Sequence, residues 1–332
     1  MADLVPVEEI RAAARRLEGV AVRTPLLPVP AFAPVNLLVK PESLQPVGSF
    51  KLRGAYNTIA ALSDAAKETG VVTHSSGNHG FAVAYAAAML GVKAAIVVPR
   101  NAPEVKTAAI ERAGAEIVRV EPTLEARLEA ANRIVETMGY ALVPPFDHPQ
   151  VIAGQGTVGL EIAEDLKARD GGPAAVLVPV SGGGLISGVA VAVKAAYPDT
   201  RVIGVEPELA ADARESFRTG RRVKWAAQDT ARTKADALRL EQVGELTFAH
   251  IRELVSDIVT VTEDEIIGAV GKLARGARLV AEPGGVVAVA AALNRTDDEL
   301  GVRKDGENPL VAVVSGGNID PFLLAAALAP AT

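Results

Sequence analysis

Short apolar runs alternate with amphipathic helical segments along most of this chain. The runs that fit buried strands are 71–73, 94–98, 116–120, 174–180, 201–205 and 310–314. Such alternation is typical of parallel strands whose two faces are both covered by helices, so the pattern predicts an α/β fold. The segment 207–245 is rich in charge and poor in apolar periodicity, which predicts loops and short helices there.

The order of these runs predicts two lobes. Three strand-like runs fall close together, so we expect a small, mobile lobe over 66–143. The large lobe would then combine 1–65 with 144–330. Two adjacent prolines, Pro144 and Pro145, stand at the join and are typical of a hinge or boundary.

Composition narrows the class of protein. With 332 residues and 49% hydrophobic content, the chain can bury a large core. A net charge of −6 argues against a general nucleic-acid binder, and the absence of cysteine excludes disulfides, thiolate nucleophiles and zinc-thiolate sites. No signal-peptide pattern or apolar stretch of membrane-spanning length occurs, so we expect a cytoplasmic protein with no membrane partner.

The segment SFKLRGA, residues 49–55, is the most informative in the chain. It sets Lys51 among small and apolar residues just before a helical pattern over 55–62. Desolvation, or the neighbouring cation Arg53, would lower the pKa of such a lysine and make its amine a Schiff-base nucleophile. A solvated lysine at a helix N-terminus is the alternative.

Three other segments carry candidate chemistry at the ends of predicted strands. SGGGL, residues 181–185, opens a helix that runs to about residue 196, and such a glycine turn suits a phosphate. HSSGNHG, residues 74–80, precedes a helical pattern over 81–90 and offers hydroxyls, an amide and imidazoles for a small carboxylate, beyond what helix capping requires. SGGN, residues 315–318, puts a hydroxyl where α/β proteins place ligands.

Together these segments resemble the fold-type II pyridoxal-phosphate enzymes, specifically the serine/threonine dehydratase and serine racemase family. Further similarity runs through 151–157, 205–207 and 261–266, so it covers nearly the whole chain. The resemblance implies a tryptophan-synthase-β-like fold with two lobes, each holding a helix-covered, mostly parallel sheet. It also implies a homodimer, and a chain without the C-terminal regulatory domain of larger relatives.

The resemblance also implies roles for individual residues toward the cofactor pyridoxal 5′-phosphate. Lys51 would hold the cofactor and then serve as the base for the α-proton. The glycines Gly182, Gly183 and Gly184 would bind the phosphate together with the backbone of Ser181 and Leu185. Asn78 would contact the phenolic oxygen, Phe50 would pack beside the ring, and Ser315 would face the pyridine nitrogen.

An amino-acid substrate would meet a second group of residues. Its carboxylate would bind the loop residues Ser75, Ser76, Asn78 and His79. Arg127 is a possible clamp from the small lobe, and a solvated salt-bridge partner is the alternative. The resemblance places the Ser76 hydroxyl on the opposite face of the cofactor from Lys51, where it could return a proton.

A divalent-cation site is the last feature that the resemblance implies. Glu206, the backbone of Ala210, and Asp212 are spaced as in metal-activated relatives. Two carboxylates, a carbonyl and waters suit Mg²⁺, Ca²⁺ or Mn²⁺. The alternative is an ordinary charged loop after a strand.

The expected reaction is dehydration and deamination of L-threonine or L-serine to 2-oxobutyrate or pyruvate and ammonia. A serine racemase with side dehydratase activity, or a dehydratase for another 3-hydroxy amino acid, stays open. Phe81 and Ala237 depart from the family pattern. Phe81 argues against activation by a nucleotide, and Ala237 leaves the preferred substrate side chain undetermined. A dinucleotide-binding fold is disfavoured because Ser187 stands where the fingerprint needs its last glycine.

Overall fold

The computed structural model describes residues 4–169 and 171–329. Its strands are β1 (Leu27–Pro28), β2 (Leu37–Pro41), β3 (Val71–Thr73), β4 (Ala94–Pro99), β5 (Glu116–Val120), β6 (Ala141–Leu142), β7 (Ala175–Pro179), β8 (Arg201–Pro207), β9 (Asp257–Val261) and β10 (Leu310–Val314). Its helices are α1 (Val7–Arg16), α2 (Lys51–Ala60), α3 (Asp64–Thr69), α4 (Asn78–Met89), α5 (Glu104–Arg112), α6 (Leu124–Met138), α7 (Pro149–Lys167), α8 (Gly184–Ala196), α9 (Asp212–Thr219), α10 (Ala227–Thr230), α11 (Glu245–Leu254), α12 (Glu263–Ala277), α13 (Pro283–Asn294), α14 (Asp297–Leu300) and α15 (Pro321–Leu328).

The larger sheet has the strand order β1-β2-β10-β7-β8-β9, and only β1 runs antiparallel to its neighbour. Alternate residues of its strands pack on opposite faces, against α12 and α13 on one side and against α7, α8 and α11 on the other. Burial on both faces explains why these strands are continuous apolar runs. The sequence pattern missed β2 and β9, because a lysine or a polar residue interrupts each run.

The smaller sheet has the order β5-β4-β3-β6, and all its pairings are parallel. Its apolar residues pack against α4, α5 and α6. The sheet draws its strands from residues 71–142, although the lobe boundaries at 66 and 143 stay a prediction. Residues 1–3, 170 and 330, which the predicted large lobe includes, lie outside the described residues.

Helix α7 packs closely against two helices that carry functional candidates. A Cβ on Gly154 would lie 2.6 Å from the carbonyl oxygen of Arg53 in α2. On the side facing α8, a Cβ on Gly188 would overlap the backbone of Gly156. Because only glycine allows backbones to approach so closely, α7 fixes the separation of α2 and α8.

Two helix starts differ from the sequence-based prediction. Helix α2 begins at Lys51 instead of at residue 55, and α4 begins at Asn78 instead of at residue 81. The residues KLRG, 51–54, and NHG, 78–80, were therefore wrongly left out of the predicted helices; each of the two segments includes a glycine, which weakens the local helical signal. Over the described residues, no helix has both the length and the apolar character needed to cross a membrane.

Candidate active site

Lys51 is the first residue of α2, and backbone contacts bring it beside the turn that follows β10. The Phe50 amide donates to the carbonyl of Ser315 at 3.0 Å. Ser49 forms an isolated antiparallel bridge with Gly316. Two segments that lie far apart in the sequence are therefore joined at the carboxyl edge of the larger sheet, and Ser315 is buried there.

Lys51 is half-buried, and its amine is held by specific contacts. Its Nζ donates to the carbonyl of Pro145 at 2.8 Å and lies 5.1 Å from the centre of the Phe50 ring. Burial lowers the pKa of Lys51 to about 8, since desolvation disfavours the charged form. The expectation that Arg53 contributes to this shift is wrong, because its guanidinium is bound by Glu42 and Glu161.

The glycine turn 181–185 joins β7 to α8 and forms a cradle for an anion. Gly183 caps the helix with φ +91°, a conformation that side chains disfavour, and a Cβ there would lie 2.8 Å from Thr247. The Thr247 hydroxyl donates to the Gly182 carbonyl at 2.6 Å and so orients the turn. The first amides of α8 have no acceptor within the helix and present a positive dipole end, which fits a phosphate group.

The segment after the two prolines is a functional element that the sequence analysis treated only as a hinge. Pro145 accepts from Lys51, and the Phe146 ring lies against Gly182 so closely that a Cβ there would overlap it. Asp147 accepts from the amides of Glu245 and Thr247, at 2.9 and 3.0 Å. This segment therefore connects the lysine with the glycine turn. Phe146 and Asp147, directly after the prolines, are the sequence feature that could have indicated this role.

Asn78 lies in a side-chain network next to the Ser315 turn. Its amide nitrogen donates to Glu282 Oε1 at 2.6 Å, and its Oδ1 accepts from Asn318 at 2.8 Å. The Glu282 amide donates to the carbonyl of Gly316 at 3.0 Å. Glu282 was missed by sequence reasoning, since a single glutamate before a proline has no distinctive pattern.

The loop 74–80 holds one imidazole in a fixed state. His79 is buried, its Nε2 lies 3.0 Å from the Val143 carbonyl, and burial lowers its pKa to about 3. A neutral ring beside a carbonyl carries its proton on Nε2, so Nδ1 is an acceptor. Over the described residues, neither His79 Nδ1 nor Ser49 Oγ has a hydrogen-bond partner. Ser75 accepts from the Gly77 amide at 3.3 Å, and Ser76 is half-buried.

Arg127 lies near this loop on α6. Burial is the main cause that lowers the pKa of His74, and the positive charge of Arg127 lowers it further. Burial lowers the pKa of Arg127 itself, and the negative charge of Glu241 partly offsets that effect. A cleft of about 740 Å³ lies alongside, lined by α6 residues together with Lys224 and Glu241. Arg127 is therefore within electrostatic range of both His74 and Glu241, and both predicted roles stay compatible with that.

Glu206, near the end of β8, and Asp212, the first residue of α9, form a buried acidic pair. Glu206 accepts from the amides of Ala213 and Arg214, at 3.1 and 2.7 Å. Burial, followed by the charge of Asp212, raises the pKa of Glu206 well above its usual value. Burial raises the pKa of Asp212 to about 7, and this effect is larger than the lowering by nearby backbone groups. Among the described residues, none donates a hydrogen bond of normal length to its carboxylate oxygens.

This acidic pair fits a divalent cation. Two buried carboxylates near each other need a proton or a cation, and the buried Ala210 lies just before Asp212 in the chain. In the portion of the chain that the structure describes, no group of three or more metal-binding side chains occurs. A cation here would therefore complete its coordination with carbonyl and water oxygens.

Comparisons with known proteins agree with this geometry. The family described as "Pyridoxal-phosphate dependent enzyme" matches residues 17–316. An L-threonine ammonia-lyase of Thermotoga maritima is 42% identical over 320 residues, which cover 96% of this chain and 76% of the relative. A serine racemase of Oryza sativa is 39% identical, with 95% of this chain and 91% of the relative covered.

A solved structure extends the comparison to the fold. A crystal structure of threonine deaminase from T.th. superposes with a TM-score of 0.88 at 42% identity, covering 95% of this chain and 99% of that one. The predicted fold class and the predicted family are confirmed. The match to the family of pyridoxal-phosphate dependent enzymes also confirms pyridoxal phosphate as the cofactor of the family.

Proposed function

The chain belongs to the family of pyridoxal-phosphate dependent enzymes, and from this premise we propose that it is an ammonia-lyase for L-threonine or L-serine. The products would be 2-oxobutyrate or pyruvate, and ammonia. The observation that carries the proposal is the contact set of Lys51: its amine donates to Pro145, next to the Phe146 that packs on Gly182, and the preceding Phe50 amide donates to the Ser315 carbonyl. The relatives named above support the choice of reaction.

Lys51 is the proposed catalytic lysine. When bound, pyridoxal phosphate supplies an aldehyde that combines with amines and a ring that stabilises negative charge at the α-carbon. Lys51 Nζ would anchor the cofactor and later accept the α-proton of the substrate. With a pKa of about 8 instead of 10.5, a useful fraction of the amine is neutral near physiological pH.

The remaining cofactor contacts divide between four segments. The turn of Ser181, Gly182, Gly183, Gly184 and Leu185 would bind the phosphate, and Asn78 would bind the phenolic oxygen. Phe50 would pack beside the ring, and the Ser315 hydroxyl would face its nitrogen. A hydroxyl, unlike a carboxylate, does not enforce protonation of that nitrogen. With the cofactor bound, Ser315 would therefore let less negative charge delocalise into the ring, which would favour departure of the β-hydroxyl.

The substrate carboxylate would bind the loop of Ser75, Ser76, Asn78 and His79. Because the neutral His79 ring directs its Nε2 proton to the Val143 carbonyl, the ring offers the carboxylate neither a charge nor a donor, and the His79 backbone amide would make the contact. Arg127 would then supply the positive charge. Closure of the predicted small lobe, 66–143, over the large lobe, 1–65 and 144–330, would exclude water from the reacting atoms.

We also propose a structural cation and an assembly. Glu206, the Ala210 carbonyl and Asp212 would hold Mg²⁺, Ca²⁺ or Mn²⁺, since burial of both carboxylates without a cation is costly.

The proposed assembly is a cytoplasmic homodimer, as the family resemblance implies.

A second candidate function is serine racemisation. The retained Ser76 favours it, because racemisation needs a group on the face opposite Lys51, and the named Oryza sativa relative is a serine racemase. Elimination needs only Lys51 as base. The balance between the two depends on how fast the β-hydroxyl leaves relative to reprotonation.

One experiment tests the reaction and its lysine. The purified holoenzyme should absorb visible light, and borohydride should fix the cofactor to the peptide that contains Lys51. Lys51→Ala should abolish both the fixation and oxo-acid formation, whereas exposed Lys272 replaced by alanine should change neither. An oxo-acid assay beside chiral analysis separates the two reactions. Faster formation of D-serine than of oxo acid would favour the racemase, and a label on another lysine would refute the role of Lys51.

A further inference from the structure

A cluster of four charged residues is buried behind the active site without entering the proposed chemistry. It consists of Lys40, Glu42, Arg53 and Glu161, and we refer to it as the ionic quartet. The first three are at most 1% exposed, and the Glu161 side chain is 13% exposed. Burying several charges is costly unless each is paired, so the arrangement of the quartet needs an explanation.

Arg53 is the centre of the quartet because it bridges both carboxylates. Its Nε and Nη2 donate to the two oxygens of Glu42 at 2.7 and 2.8 Å. Its Nη1 and Nη2 donate to the two oxygens of Glu161 at 2.6 and 3.0 Å. A guanidinium with two bidentate partners is fixed in both distance and angle, which a lysine cannot reproduce.

Lys40 and two polar neighbours complete the pairing. The Lys40 Nζ donates to Glu161 Oε2 and to the carbonyl of Thr24, each at 2.6 Å. Glu42 also accepts from the Thr24 hydroxyl at 2.7 Å and from Gln45 at 3.0 Å. The quartet therefore has balanced charge, two cations against two anions, and its carboxylates are well supplied with donors.

Three members of the quartet lie on elements that are each connected to a different cofactor contact, and Glu42 directly follows β2. Lys40 lies on β2 opposite Val313 of β10, two residues before Ser315. Arg53 lies on α2, two residues after Lys51. Glu161 lies on α7, which packs through glycines against α8, the helix that begins at the glycine turn.

We propose that the ionic quartet is a positioning device that holds Lys51, Ser315 and the glycine turn at the separations that one cofactor molecule requires. Arg53 and Glu161 are its central positioning residues. The inference rests on the proposed role of Lys51. Apolar packing between α2, β2 and α7 would tolerate small sliding movements, whereas paired forks of hydrogen bonds do not.

Charge balance is the second property that the device needs. Burial accounts for the lowered pKa of Lys51, and neither Arg53 nor Lys40 is among its causes. Loss of one carboxylate would leave a net positive charge near α2, which disfavours the protonated amine. The quartet can therefore hold α2 rigidly without altering the titration of the catalytic lysine.

The central test replaces Arg53 with lysine, which keeps the charge and removes the fork. Arg23→Lys is the matched control, since Arg23 also pairs with two acidic residues of α7 but is about half exposed. We expect Arg53→Lys apoprotein to unfold cooperatively but to bind pyridoxal phosphate about tenfold more weakly, as for other residues that orient a ligand-binding group. The control should bind within about twofold of the wild type.

A second pair of variants tests the charge balance and does not depend on Arg53. Glu161→Gln leaves the core with one excess positive charge, whereas Lys40→Met combined with Glu161→Gln restores neutrality. The pH midpoint of cofactor attachment should fall in the single variant and return toward the wild-type value in the double variant. Cofactor affinity should stay reduced in both, because the fork to Arg53 is weakened in each.

The outcomes distinguish this inference from the proposed function. Unchanged cofactor affinity in Arg53→Lys, with the borohydride label still on Lys51, would overturn the positioning role alone. A wild-type label on another lysine would overturn the proposed function first. If Arg53→Lys does not fold, the double variant decides, and full cofactor affinity in that folded protein refutes the inference.

Discussion

Stability of the protein should depend on pH and divalent cations through Glu206 and Asp212. The perturbation is to remove cations with a chelator and to vary the pH. Burial moves the pKa of Asp212 from 3.8 to about 7. Ionising that carboxyl in the folded protein therefore costs roughly 4 kcal/mol relative to the unfolded chain. Glu206 adds to the cost, because its pKa is raised in the same direction.

The sign of the effect follows from proton linkage. Both groups bind a proton more tightly in the folded than in the unfolded state, so the stabilisation is complete below about pH 4 and is lost as the pH rises through about 7. A bound cation replaces the proton as the positive partner. The stabilisation by Mg²⁺, Ca²⁺ or Mn²⁺ should therefore be small at pH 5 and large at pH 8.

Thermal unfolding with and without cation measures this difference. A chain of 332 residues has an unfolding entropy of about 0.7 kcal/mol/K, so roughly 4 kcal/mol corresponds to about 6 °C in Tm. Asp212→Asn should remove the cation effect, since an amide cannot ionise, whereas exposed Glu208→Gln should retain it. An equal cation effect at pH 5 and pH 8, or its persistence in Asp212→Asn, would refute the reasoning.

Three further predictions concern the proposed active site. If Arg127 clamps the substrate, Arg127→Met should raise KM about tenfold with little change in Tm. The control Arg133→Met, at an exposed position on the same helix, should leave KM unchanged. Equal KM values in the two variants would favour the salt-bridge role of Arg127. Gly182→Ala should destabilise the protein by about 1–3 kcal/mol and weaken cofactor binding, because its Cβ overlaps Phe146; an unchanged melt and affinity would contradict this. Ser76→Ala should abolish D-serine formation and keep oxo-acid formation, and D-serine from that variant would exclude Ser76 as the second base.

Much of the fold could be predicted because its signals are local. The buried strands β3, β4, β7 and β10 are continuous apolar runs, and the glycine turn follows β7 directly in the sequence. Lys51 and the loop 74–80 also stand within short, recognisable motifs. Their predicted roles await the experiments above, but the structure does bring Lys51, Ser315 and Asn78 into neighbouring parts of one site.

Contacts between distant segments could not be predicted in the same way. Lys40 interrupts the apolar run of β2, and its partner Glu161 lies 121 residues further along the chain. Glu282 reaches Asn78 across 204 residues. No local periodicity encodes such pairs, because they form only after the sheets and helices have packed.

The sequence by itself determined most of the strands and helices and the segments that carry reactive residue types, since both depend on neighbouring residues. Only the tertiary structure decided the electrostatics. It showed that Arg53 serves Glu42 and Glu161 instead of Lys51, and that burial sets the pKa of the lysine. Desolvation depends on every atom that surrounds a group, and those atoms come from segments that only folding brings together.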